Sequence, residues 1–67
     1  MNIDIRKSIK DNFKDSNNED IFESIESAVK DGEEITLPGM GVFFELLWKL
    51  SNESEKTEII KKINKGL

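Results

Sequence analysis

The sequence predicts a small all-α domain of four short helices. Apolar residues recur at helical spacing in four segments, helix-capping residues such as Asn17 and Asn52 precede two of them, and no two alternating segments could pair as a sheet. A chain of 67 residues forms one domain at most and lies close to the lower size limit for folding alone. We expect a single helical domain over residues 1–67, with helices at about 3–13, 18–31, 41–50 and 53–64.

The first two predicted helices are amphipathic. Asn2 or Asp4 can cap the first helix, whose apolar residues recur every four positions: Ile5, Ile9 and Phe13. The second helix carries one apolar stripe made of Ile21, Phe22, Ile25, Ala28 and Val29. Gly32 follows this stripe and suits the left-handed residue that ends many helices.

Residues 34–38 are predicted to be extended. Their β-branched side chains favour an extended backbone, and Pro38 disfavours the helical conformation at Leu37. Gly39 and Gly41 then permit a tight turn into the next helix.

The third predicted helix, at 41–50, is apolar on most sides. Only Glu45 and Lys49 interrupt its apolar residues, and their spacing of four places them on one face. We therefore expect an enclosed central helix with Trp48 as a main packing anchor. The same helix also offers an apolar face for a homodimer or another protein partner.

The last predicted helix begins after a capping box. Asn52 stands three residues before Glu55, so each side chain can bond the backbone N–H of the other. Acidic residues come early in this helix and lysines come late, which suits the helix dipole at both ends. Gly66 is expected to end it.

Charge is distributed unevenly along the chain. The net charge of −4 combines mildly basic ends with an acidic segment at 15–34. A basic surface for DNA would use seven cations, although the overall charge does not support DNA binding: Arg6, Lys7, Lys10, Lys14, Lys61, Lys62 and Lys65. The simpler interpretation is that neighbouring segments complement one another within the bundle.

The residue types offer little for catalysis or cofactor binding. The chain has no His and no Cys, so the usual general base, thiolate nucleophile and commonest metal ligand are missing. The acids around Gly32 lack the spacing of a calcium loop. We predict no catalytic, cofactor-binding or metal-binding residue, and the longest apolar run is too short for a membrane span.

The central segment GEEITLPGMGVFFELLW, residues 32–48, resembles the signature of the small, acid-soluble spore protein I family. In that family Gly-Glu-Glu leads through Leu-Pro-Gly-x-Gly-Val into x-Phe-Glu-x-x-Trp. The matching residues are Gly32, Glu33, Glu34, Leu37, Pro38, Gly39, Gly41, Val42, Phe44, Glu45 and Trp48. The resemblance implies a minor protein of the spore core, made in the forespore of Firmicutes, with no assigned enzymatic activity, ligand or cofactor.

A second resemblance concerns HU-type histone-like proteins. There, Gly-x-x-x-x-Leu-x-Gly-Phe-Gly-x-Phe follows two helices, as GEEITLPGMGVFF follows two predicted helices here. Met40 stands in place of the aromatic residue, and LLWKLSNESEK replaces the basic β-arms that enter the minor groove.

The sequence therefore favours one function and leaves two alternatives open. The leading prediction is a non-enzymatic, structural or protective protein of the spore core, located in the forespore cytoplasm. The alternatives are a nucleoid-associated DNA-binding protein distantly like HU, and a protein-interaction module or homodimer that uses the central apolar helix.

Overall fold

The computed structural model describes residues 4–67, and within this range the chain is helical without strands. A single 3₁₀ turn, Glu34–Thr36, joins the second and third of four α-helices: α1 (Ile5–Phe13), α2 (Asn18–Asp31), α3 (Leu37–Leu50) and α4 (Glu53–Gly66). The predicted all-α class is confirmed. The expected start of the first helix at residue 3 and its alternative cap Asn2 lie outside the described residues.

Local capping interactions set the helix ends. The side chain of Asn17 accepts a hydrogen bond from the backbone N–H of Asp20 at 2.8 Å, and Gly32 ends α2 with a positive φ of 64°. The Asn52–Glu55 capping box is present in both directions, at 2.9 and 2.8 Å. These caps satisfy backbone groups that a helix leaves without partners, and all were predicted from the sequence.

The prediction that residues 34–38 are extended is wrong. Residues 34–36 form the 3₁₀ turn, and Leu37 has helical angles, φ −59° and ψ −42°. Pro38 lies in the first turn of α3, where its missing N–H costs no intrahelical hydrogen bond. The central helix therefore begins at Leu37 rather than at residue 41, and Gly39 and Gly41 lie inside it instead of forming a turn.

The expected enclosure of the central helix is also wrong. Among the described residues only Val42 is buried, with 5% of its surface exposed, whereas Leu50 is 86% exposed. Trp48 is half-buried. The packing centre is thus Val42, where α3 meets α1, and Trp48 packs at the less covered side of α3.

The molecule exposes more surface than a compact monomer of its size. Its accessible surface is 6055 Å², against about 4,300 Å² expected for 7.7 kDa. The radius of gyration of 13.3 Å also exceeds the roughly 11 Å expected for 67 residues. The four helices therefore form an open arrangement with apolar side chains left at the surface.

Val42→Ala is expected to destabilise the domain by about 2 kcal/mol, because it removes buried methyl groups and leaves a cavity. Leu50→Ala on the same helix is the matched control and should change stability by less than about 0.5 kcal/mol. Urea unfolding followed by circular dichroism at 222 nm measures both. Equal effects of the two substitutions would contradict the placement of the core at Val42.

Candidate functional site

The residues of the central signature make α3 the hub of the structure. Val42 and Glu45 lie on the side of α3 that faces α1, and Phe44 and Trp48 lie on the side that faces α4. Each pair is spaced three or four residues apart, which places its members on one helix face. The signature residues therefore hold neighbouring helices in place.

An ion pair joins α1 to α3. The Nε of Arg6 donates to both carboxylate oxygens of Glu45, at 2.8 and 3.1 Å. The hydrogen bond and the charge of Arg6 lower the pKa of Glu45 below its ordinary value, and the same bond raises the pKa of Arg6. Both side chains remain partly exposed, at 67% and 38%, so solvent and salt screen this interaction.

Aromatic contacts complete the packing of α3. Phe13 of α1 meets Phe43 edge to face, with ring centroids 5.0 Å apart. Phe44 stacks on Trp48 at 5.7 Å, and the ammonium of Lys56 lies 5.3 Å from the centroid of Trp48. Such edge-to-face and cation–π geometries are favourable beyond the burial of area alone. Trp48 thus links α3 to α4 through a contact with a lysine.

An apolar concavity, hereafter the apolar trough, lies between α1, α2 and α3. This apolar trough has a volume of about 420 Å³. Among the described residues, Lys10 and Lys14 are its only charged lining residues, and the others are apolar: Ile9, Phe13, Ile21, Ile25, Val42, Phe43 and Leu46. Within residues 4–67 the lining of the trough contains no carboxylate.

The seven cations predicted for DNA binding differ in whether they form ion pairs. Arg6 pairs with Glu45, Lys7 pairs with Asp11 at 3.2 Å, and Lys61 pairs with Glu58 at 3.3 Å. Within residues 4–67 the remaining four form no ion pair: Lys10, Lys14, Lys62 and Lys65. Lys10 and Lys14 lie together at the apolar trough, and Lys62 and Lys65 lie near the end of α4.

Residues 4–67 contain no group of three or more side chains placed to hold a metal ion. No helix in the same range is long and apolar enough to cross a membrane.

A family model described as "Small, acid-soluble spore protein I" matches residues 3–67. The chain belongs to this family. Proteins with that name from Halalkalibacterium halodurans and Shouchella clausii are each 40% identical to this chain over 67 residues. The match covers the whole of this chain and 98% and 97% of those two proteins. The protein of that name from Bacillus subtilis strain 168 is 39% identical over the whole chain and 94% of its own length. No solved structure matches the chain.

Membership in the small, acid-soluble spore protein I family makes this a sporulation-related protein of spore-forming bacteria. The resemblance noted at residues 32–48 is confirmed. The structure shows what several signature residues do in this member: Pro38 starts α3, Val42 forms the core, and Glu45 binds Arg6.

Sequence reasoning missed the two long-range contacts between α1 and α3. Arg6 and Glu45 are separated by 39 positions, and neither residue has a local pattern that identifies its partner. Phe13 and Phe43 were both recognised as apolar, but their pairing depends on how α1 crosses α3. Charge complementarity was predicted only between whole segments.

The Arg6–Glu45 pair predicts a pH dependence of stability. Because the pKa of Glu45 is lowered in the folded state, the stabilisation is fully present above the ordinary carboxyl value of 4.5 and is lost as pH falls through the lowered pKa. Glu45→Gln should therefore be less stable than the wild type at pH 7, and the difference should shrink at lower pH.

Urea unfolding from pH 7 to pH 3 measures this effect. Glu33→Gln, which removes an exposed acid outside the pair, is the control and should not show the same loss. The double reversal Arg6→Glu with Glu45→Arg should recover part of the stability that either reversal removes. A Glu45→Gln deficit that is constant across this pH range would contradict the role of the pair.

Proposed function

We propose that this small, acid-soluble spore protein I is a non-enzymatic structural or protective component of the spore core, formed in the forespore cytoplasm. The observation that carries the proposal is the use of the signature residues in helix packing. Val42, Glu45 and Trp48 hold α3 against its neighbours, and in residues 4–67 the apolar trough has no carboxylate beside its two lysines.

The cell-biological prediction is that the protein accumulates during sporulation and stays with the core when dormant spores are stripped of their coats. Immunoblots of vegetative cells, coat extracts and core extracts measure this distribution. Deletion of the gene should leave vegetative growth unchanged and alter spore resistance or outgrowth. Expression of the wild-type gene should restore the phenotype, whereas a Val42→Asp variant that cannot form the core should fail to restore it. Recovery of the protein mainly from vegetative cells or coats would contradict the proposal.

DNA binding is the second candidate function. It is favoured by the four cations without ion pairs in residues 4–67, Lys10, Lys14, Lys62 and Lys65, and opposed by the net charge of −4. The other three predicted cations are already paired with acids, so they contribute less to phosphate binding.

If the four free lysines contact phosphates, the affinity for duplex DNA should fall with salt with a log–log slope of about −3 to −4. Fluorescence anisotropy with a labelled duplex between 50 and 200 mM salt measures the slope. Lys62→Gln with Lys65→Gln should reduce its magnitude by about two, and Lys7→Gln is the matched control from an ion-paired lysine. Absence of binding at the lowest salt would eliminate this function.

A further inference from the structure

We propose that this protein forms a two-fold homodimer in which α2 of each copy packs into the apolar trough of the other. Phe22 is the central anchor of this interface. The inference does not depend on the proposed role in the spore, because it rests on the surface of the chain itself. The sequence suggested α3 as the self-association surface, whereas the proposed interface uses α2 and the trough.

The two halves of the interface lie next to each other on each copy. α2 carries an exposed apolar stripe made of Phe22, Ile25 and Val29, hereafter the α2 stripe. The surface of Phe22 is 64% exposed and that of Val29 is 66% exposed. Ile25 lies between them at the spacing of one helix face, and it also lines the apolar trough. A two-fold axis beside α2 can therefore place each stripe over the trough of the other copy, as an isologous contact requires.

Charge complementarity favours a second copy as the occupant. The part of the trough's lining that residues 4–67 provide has two lysines and no acid, whereas α2 carries five acids and one lysine. Glu19, Glu23 and Glu26 flank the α2 stripe at helical spacing. An α2 helix from a second copy would bring these acids towards Lys10 and Lys14.

The molecule as a whole exposes enough surface for such a contact. The surface in excess of a compact monomer is about 1,700 Å² from the observed 6055 Å². A standard stable interface buries roughly 800 Å² on each partner. The α2 stripe and the trough provide an apolar centre with charges at the edge, which is the arrangement of stable protein interfaces.

The main test is the mass of the full chain in solution. Sedimentation equilibrium of the wild type at 1–100 μM should give a dimer. Phe22→Gln should raise the dimer dissociation constant at least about tenfold, as expected for a central aromatic anchor. Its helicity as a monomer should be preserved, since Phe22 is largely exposed within one copy. Leu50→Gln, another exposed apolar residue outside the trough, is the control and should leave the dimer unchanged.

A charge-exchange experiment tests the orientation independently of the aromatic substitution. Lys10→Glu with Lys14→Glu, and separately Glu23→Lys with Glu26→Lys, should each weaken self-association. An equimolar mixture of the two variants should form a heterodimer, because α2 of each variant then faces a trough of opposite charge on the other. Native mass spectrometry distinguishes the heterodimer from either homodimer.

Several outcomes would overturn the proposal. A wild-type protein that remains monomeric up to 100 μM would overturn it. Binding of an apolar probe such as dodecanoate in the trough of such a monomer would not rescue the proposal. A dimer that survives Phe22→Gln but is lost on Leu47→Gln would place the interface on α3. Failure of the two charge variants to associate with each other would reject the α2-to-trough orientation.

Discussion

The incomplete cover of α3 is the physical constraint on which the rest of the structure depends. Between Val42 and Leu50 only Glu45 and Lys49 are charged, so this helix has apolar side chains on most of its circumference. α1 covers one side through Val42 and Phe43, and α4 approaches another through Trp48. Three short neighbours cannot enclose such a helix, and the open arrangement with a single buried residue among those described follows from this.

With so little core, the individual helices depend heavily on local interactions. The Asn17 cap, the left-handed Gly32 and the Asn52–Glu55 box each satisfy backbone groups without any long-range contact. Such caps are typically worth about 1 kcal/mol each, which is substantial for a domain of marginal stability. The secondary structure is thus specified more strongly than the packing between helices.

This difference explains how much of the molecule the sequence could predict. Helix positions were accessible because caps and periodicity act within a few residues, as at Asn52. The 34–38 segment was misassigned because the β-branched Ile35 and Thr36, and the effect of Pro38 on Leu37, were taken to favour an extended backbone. Pro38 instead occupies the first turn of α3, where proline is tolerated. The depth of burial could not be obtained from periodicity, because the pattern shows that Phe22 and Val29 share a face but not whether another element covers that face.

The signature residues of the family position α3. Pro38 fixes where the helix starts, Val42 and Glu45 attach it to α1, and Trp48 attaches it to α4. None of these roles covers the α2 stripe, in which Phe22 and Val29 are exposed. If a second copy covers it, folding becomes coupled to association, and stability rises with the concentration of the protein. A chain with so small a core would then be best folded where it accumulates, which connects its packing to the confined compartment proposed for it.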